Sequence, residues 1–502
     1  MRKRPATRAT ATIAPAPVVP PPHPALAPLL RSRWLYALVS LALLAPCYWQ
    51  QRVQAGDLAS HIYNSWLAQL IESGRIQGLV IVRQTTNILF DLMLSGLFKL
   101  FGAGPAQRIS VSLAVLIFVW GAFAFAAAVS GGRPWRILPC IAMLAYGWVY
   151  HMGFFNFYLS LGLCFWALAL LWKATPRRVA AAIPILLVAY LAHALPVAWT
   201  VCLTVYLLSA GHMAPRRRAY MIAGSLVAMT MLHAVAAGAM GSRWSLRQIT
   251  LTTGVDQIGV FDGKYYAVLA GLLIVWGGMF LRLMRLSGLR QVVSSMAFQF
   301  CAISAAGVFI VPTGVFIPGF HHALVFIAER MSLAVGICIC ALLAAAPPRR
   351  FEQHGMVLLA IVFFGFLYRD ERVLNSFEDR VQDAVAALPP GQRVISSIYD
   401  PSLRIDALAH MIDRACIGHC YSYANYEPST TQFRIRSVAE NAYVAHTYED
   451  SWLMQAGAYR VKERDLPLYQ IDLDAGARIV LRSLPVGAPC GATAWKVLGD
   501  LG

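Results

Sequence analysis

Residues 33–74 read RWLYALVSLALLAPCYWQQRVQAGDLASHIYNSWLAQLIESG. The run over 34–50 has no charged side chain and reads as a first membrane span. It is followed at once by a different pattern. Asp57 stands where a helix cap or first-turn residue belongs, Leu58, Ile62, Trp66, Leu67, Leu70 and Ile71 recur at helical period, and Gly74 can end the helix. Asp57 and His61 are four residues apart and share a face. The stretch TTNILFDLMLSGLFKLFG, 85–102, repeats the offset with Asn87 and Asp91 on a second amphipathic helix closed by Gly102. Helices of this kind lie in the membrane interface rather than cross it. A polar pair on each of two helices, in the first loop after the first span, raises the question of what the loop does.

The rest of the chain sets the context. With 58% hydrophobic and 13% charged residues, these 502 residues are too apolar for a soluble domain. About eleven apolar runs read as spans, near 34–50, 109–130, 136–151, 154–172, 178–193, 195–210, 219–240, 265–281, 291–311, 329–346 and 355–368. The net charge of +18 is then topological. The N-terminal segment and the alternate loops GGRPWR, KATPRR, APRRRAY, RLMRLSGLR and PPRRFEQHG hold nineteen Lys and Arg against the single acid Glu352, and the remainder of the chain is balanced. Basic short loops mark the cytoplasmic side, so the N-terminus is expected inside, the C-terminal segment outside, and nucleic acid is not expected as a partner.

Three regions follow. Residues 1–32, rich in Pro, Ala and Thr, read as a disordered cytoplasmic tail. Residues 33–368 form the transmembrane part, with the outer loop at 51–107. Residues 369–502 read as a small outer α/β domain, with an acidic helix at its start, RVISSIYD and RIVLRSLP as strands and SLRIDALAHMIDRAC as a helix. In CYSYANYEP, Tyr421, Tyr423 and Tyr426 suit either sugar stacking or strand packing.

Of ten cysteines, six fall in spans and read as small packing residues. For Cys416, Cys420 and Cys490 in the outer segment, a disulfide, packed thiols and a metal site at CIGHC with His419 all stay open.

The spans are nearly bare of ionisable groups apart from His193, His233, Glu329 and Arg330, so polar function concentrates at the outer surface. There the bland readings are a cap for Asp57, a bond from His61 to that cap, and a stitch between helices for Asn87 and Asp91. His321, His322, Glu329 and Arg330 project from another outer loop, PTGVFIPGFHHALVFIAERMSLAV, while Asn156 in HMGFFN reads as a turn residue and His193 as a helix-end histidine.

On the GD at Gly56 and Asp57 after the first span, the helical loop and the outer tail, the chain resembles the GT-C superfamily of integral-membrane glycosyltransferases. Among these it is similar to bacterial aminoarabinose and protein mannosyltransferase relatives, which use polyprenyl-phosphate-linked sugars. It departs from their usual Asp-Glu pair, since Leu58 follows Asp57. The resemblance implies an inverting transferase of the inner membrane, with its C-terminal domain on the periplasmic side, that moves a hexosyl or pentosyl group from the lipid-linked donor to a lipid, glycan or protein acceptor. Asp57 would be the general base and His61 its orienting partner. Arg330, with Arg83 as second choice, would neutralise the donor phosphate, and Asn87, Asp91, His321, His322 and Glu329 would line the donor and acceptor sites. No cofactor is expected, and a divalent metal finds no carboxylate cluster of suitable spacing. A lipid-linked substrate flippase, or a non-catalytic protein of the same shape, stands as the alternative.

Overall fold

The computed structural model describes residues 33–239, 241–243, 245–316, 324–347, 349–474 and 476–500. The expected tail at 1–32 and both His321 and His322 lie outside the described residues. The chain is mostly helical, in order α1 (Arg33–Leu44), α2 (Leu58–Glu72), α3 (Leu89–Phe101), α4 (Ala103–Ser130), α5 (Leu138–Ala145), α6 (Trp148–His151), α7 (Phe155–Leu171), α8 (Pro176–Ala192), α9 (Ala194–Gly211), α10 (Pro215–Ala239), α11 (Tyr265–Ser287), α12 (Met296–Ile310), α13 (Ile327–Leu343) and α14 (Arg350–Ala386).

Among the described residues, five helices are long and apolar enough to cross a membrane: α4, α9, the 216–235 part of α10, α11 and α14. Arg33–Cys47, α7 and α12 are shorter apolar helices. The protein is therefore multi-pass, but the eleven runs do not fold as eleven uninterrupted long helices. The run at 136–151 breaks into α5 and α6 at Gly147, where a Cβ would stand 2.7 Å from the carbonyl oxygen of Gln257. The run at 291–311 restarts at Ser295, whose hydroxyl accepts the amide of Phe298.

Lipid tails are as apolar as leucine, so helices in a membrane join by close packing rather than by escape from water. The contact of α4 with α7 depends on this. A Cβ on Gly121 would lie 2.4 Å from the Gly162 carbonyl oxygen, and one on Gly162 would lie 2.7 Å from Phe118 Cα. Around that contact Phe118 stacks on Tyr158 at 4.4 Å and Phe125 on Phe165 at 5.7 Å.

Helix α14 has 37 residues. At about 1.5 Å per residue it is roughly 55 Å long, far more than a hydrocarbon core of about 30 Å. Its first half is apolar enough to span, and its polar second half continues unbroken past residue 368 into the C-terminal segment. There Asn375 exchanges hydrogen bonds with the backbone of Arg52 at 2.8 and 3.0 Å. Buried Glu378 accepts Gln54 at 2.8 Å and both Nε and Nη2 of Arg414 at 2.7 and 3.0 Å.

The first loop and the C-terminal segment also hold β1 (Leu79–Ile81), β2 (Arg393–Ser396), β3 (Tyr421–Ser422), β4 (Ile435–Ser437), β5 (Leu468–Leu473) and β6 (Ile479–Leu484). A four-stranded sheet runs β6-β5-β2-β3, antiparallel between β6 and β5 and parallel elsewhere. The expected strands at RVISSIYD and RIVLRSLP form, whereas SLRIDALAHMIDRAC is helical only over α15 (Met411–Ala415). Cys416 and Cys420 form a disulfide and Cys490 is a buried free thiol.

Strand β1, from the loop after α1, pairs antiparallel with β4, with Leu79 opposite Ser437 and Ile81 opposite Ile435. The loop and the C-terminal segment thus share one sheet. Helix α2 is buried within the protein along most of its length, and Tyr63 accepts the amide of Ser422 at 2.9 Å. Helix α3 keeps an open apolar face, with Leu100 73% and Phe101 55% exposed.

Candidate active site

Asp57 precedes α2 with helical dihedrals, φ −71° and ψ −10°, and its side chain makes no cap hydrogen bond. The capping reading therefore fails, and the carboxylate is left for other partners. Its backbone is held from outside the helix: the amides of Gly56 and Asp57 donate to the carbonyls of His151 and Met152 at 2.7 and 3.0 Å. The turn that offers those carbonyls closes on Gly153, φ +85°, where a Cβ would lie 2.5 Å from the Asp57 amide nitrogen. Only glycine fits both the dihedral and the gap.

The residues around Asp57 line a cavity of about 170 Å³ whose walls include His61, Asn156, Arg330, Tyr426 and Glu427. His61 Nδ1 lies 2.7 Å from Asp91 Oδ1. Asn156 donates to Asp91 Oδ2 at 2.7 Å and accepts the Phe90 amide at 2.8 Å, so it is a buried brace rather than a turn residue. Burial opposes charge on His61, but Asp91, by charge and hydrogen bond, with Glu427 and Asp57 behind it, outweighs burial and raises the imidazole to about 9. Asp91 is also opposed by burial, yet His61, Asn156 and Arg434 hold it below its ordinary value.

Arg330 enters from the first turn of α13, with its guanidinium 3.9 Å from the centroid of Phe154. Its Nε has no hydrogen-bond partner among the described residues. Glu329, the next residue along, does not line the cavity, because neighbours on a helix diverge; its carbonyl accepts Gln257 at 2.9 Å. Arg83 is exposed and lines no part of the cavity. Asn87, in the left-handed region at φ +55°, lines both this cavity and a smaller one of about 30 Å³ beside Asp91 and Arg434. His193 caps α9 by accepting the amide of Leu195, as a helix-end histidine does.

Sequence reasoning missed the wall supplied by the C-terminal segment. Glu427 follows Tyr426 on α16 (Tyr426–Thr430) and is pushed up to about 7 by burial, with Asp91 and Asp57 adding to the effect and His61 and His410 opposing it. His410 places Nε2 3.8 Å from Asp57 Oδ1 and Nδ1 2.8 Å from Asp413 Oδ2. Burial works against its charge, and Asp413, Asp57 and Asp406 together raise it to about 9. The only signal was the tyrosine cluster, and the structure divides it. Tyr426 lines the cavity, Tyr423 is buried and donates to Asp465 at 3.0 Å, and Tyr421 stacks on Trp66 at 6.0 Å.

Among the described residues no group of three or more His, Cys, Asp or Glu is arranged to hold a metal ion. The arrangement can take a proton at Asp57 and neutralise an anion at Arg330 within one cavity.

No family model matches the chain, and no curated protein does. Among solved structures the chain is similar to ArnT from Cupriavidus metallidurans in the apo state. The two are 12% identical with a TM-score of 0.44, over 79% of this chain and 86% of that one.

Proposed function

We propose that the protein is a membrane glycosyltransferase of the GT-C type. It moves a sugar from a polyprenyl-phosphate donor to an acceptor hydroxyl on the outer face, with Asp57 as general base. The observation that carries this reading is the pairing, in one cavity, of an uncapped carboxylate and a guanidinium whose Nε has no partner among the described residues.

The chemistry needs both groups. The acceptor hydroxyl gives its proton to Asp57 as its oxygen bonds to the anomeric carbon. The bond from that carbon to the phosphate oxygen breaks, and the electron pair leaves with the phosphate. Arg330 neutralises the departing anion, so no proton donor is required. Attack from the face opposite the phosphate inverts the anomeric centre. His61, held by Asp91, which Asn156 braces in turn, is a positioning residue that keeps a positive charge beside the acceptor. Glu427, raised to about 7, can donate as well as accept a hydrogen bond toward a sugar hydroxyl near neutrality.

The test is transfer of radiolabelled sugar from a panel of polyprenyl-phosphate donors by protein reconstituted in lipid with a membrane extract, for wild type and Asp57→Asn. Transfer by wild type that is lost in the variant, with donor binding retained, is the expected result. Donor binding without transfer by wild type across the panel would favour a lipid-substrate flippase. Transfer that survives in Asp57→Asn would remove Asp57 from the mechanism.

A further inference from the structure

At the end of the bundle away from Asp57, α1, α4 and α7 enclose a groove. It consists of two adjoining hollows of about 550 and 490 Å³ that share Ala124, Ala127, Arg133 and Trp166. Its origin is local. Gly121 and Gly162 bring α4 and α7 into backbone contact, and beyond that contact the helices present alanines, so no side chain fills the space between them. Trp120 and Trp166 form the walls; Trp120 donates to Ser40 at 3.0 Å and Trp166 to the Ile117 carbonyl at 3.1 Å, which fixes both rings.

The groove changes chemistry along its length. Its inner part is almost wholly apolar, and its mouth carries Arg133, Lys173 and Arg178 with no acid. The Arg133 guanidinium sits 5.6 Å from the Tyr36 ring centroid. Lys173 and Arg178 are exposed, and among the described residues neither has a carboxylate within ion-pair distance. Arg178 also stands in the first turn of α8, whose amide end adds positive potential.

We infer that this groove is a binding site for an anionic phospholipid, with one acyl chain against Trp120 and Trp166 and the phosphate at Arg133, Lys173 and Arg178. A free anion would need only the mouth, and a zwitterionic lipid would gain less from three cations, because its ammonium group is repelled while its phosphate is attracted. The polyprenyl-phosphate donor is a poor fit. Along α4, the basic mouth at Gly131 lies 23 residues beyond Arg108, which donates to the carbonyls of Gln50 and Gln51 just before Asp57, roughly 35 Å at about 1.5 Å per residue. The basic loops also assign the groove to the cytoplasmic leaflet, where anionic headgroups meet basic pockets between helices. The inference is independent of the transfer reaction.

Full-length protein in nanodiscs of defined composition would be titrated with acyl-brominated phosphatidylglycerol or phosphatidylcholine. Quenching assigned to Trp166 is the difference between wild type and Trp166→Phe. The expected result is half-quenching at a phosphatidylglycerol fraction on the order of tenfold lower than for phosphatidylcholine. That preference should fall severalfold in Lys173→Gln/Arg178→Gln, whose two sites are exposed and do not threaten folding. Equal quenching by the two lipids would overturn the site. So would a preference unchanged in the double variant, or displacement of the brominated lipid by polyprenyl phosphate but not by unlabelled phosphatidylglycerol.

Discussion

Replacing Gly153 by alanine tests how Asp57 is held. Two costs apply at this position. The residue sits at φ +85°, and an L side chain in the left-handed region costs about 1–2 kcal/mol. The new Cβ would also lie 2.5 Å from the Asp57 nitrogen and 2.9 Å from the Leu58 nitrogen, both backbone atoms that cannot rotate away. Overpacking of that kind costs about 1–3 kcal/mol. The sum, roughly 2–5 kcal/mol, is a large part of a typical unfolding free energy of about 5–15 kcal/mol. Gly74, at the other end of the same helix, has φ +69° and nothing within 4 Å of its Cβ position, so Gly74→Ala carries only the dihedral cost. Denaturant unfolding of both variants in the same detergent should separate them by the steric share, and sugar transfer should fall further in Gly153→Ala because the clash displaces Asp57 itself. Equal destabilisation of the two variants, with transfer by Gly153→Ala intact, would refute the close approach of the 151–153 turn to the start of α2.

The His61–Asp91 pair stabilises the fold fully below about 6.5, and that contribution is lost as pH rises through about 9, because His61 is raised from its ordinary value; thermal unfolding from pH 6 to 10 should show the loss in wild type and a smaller one in Asp91→Asn. Glu427 works in the opposite sense for a carboxylate: raised from 4.5 to about 7, it costs stability as pH climbs between those values, so Glu427→Gln should remove that decline from a scan extended down to about pH 4. Arg414 holds buried Glu378 and also donates to Gln107 Oε1 at 2.7 Å. Arg52 Nε stays 3.9 Å from Glu378 and Gln54 still donates to it, so Arg414→Met should cost less than the roughly 3–5 kcal/mol of a fully unpaired buried charge and Arg414→Met/Arg52→Met should approach it, read by denaturant unfolding; an equal cost for the single and double variants would mean that Arg52 does not pair with Glu378.

What could be read along the chain was whatever depends on near neighbours. Apolar runs and basic loops declared a multi-pass protein, because span length and loop charge are local properties. The helices α2 and α3 followed from a period of 3.6 residues and the closing Gly74 and Gly102, while the choice of Asp57 as candidate base came from the family resemblance. Breaks at Gly147 and Ser295 were harder, since what interrupts the helix at Gly147 is Gln257, which is remote in sequence. The site itself is closed by pairings that no spacing encodes. Asn425 donates to Asn64 across 361 residues, Ser422 meets Tyr63 across 359, and β1 pairs with β4, and these contacts carry Tyr426, Glu427 and His410 to Asp57. The sequence by itself determined the membrane class, the charge asymmetry and the first-loop helices. Only the tertiary structure decided that the first loop and the C-terminal segment share a sheet and a cavity, because burial and ion pairing between segments so far apart depend on packing in space.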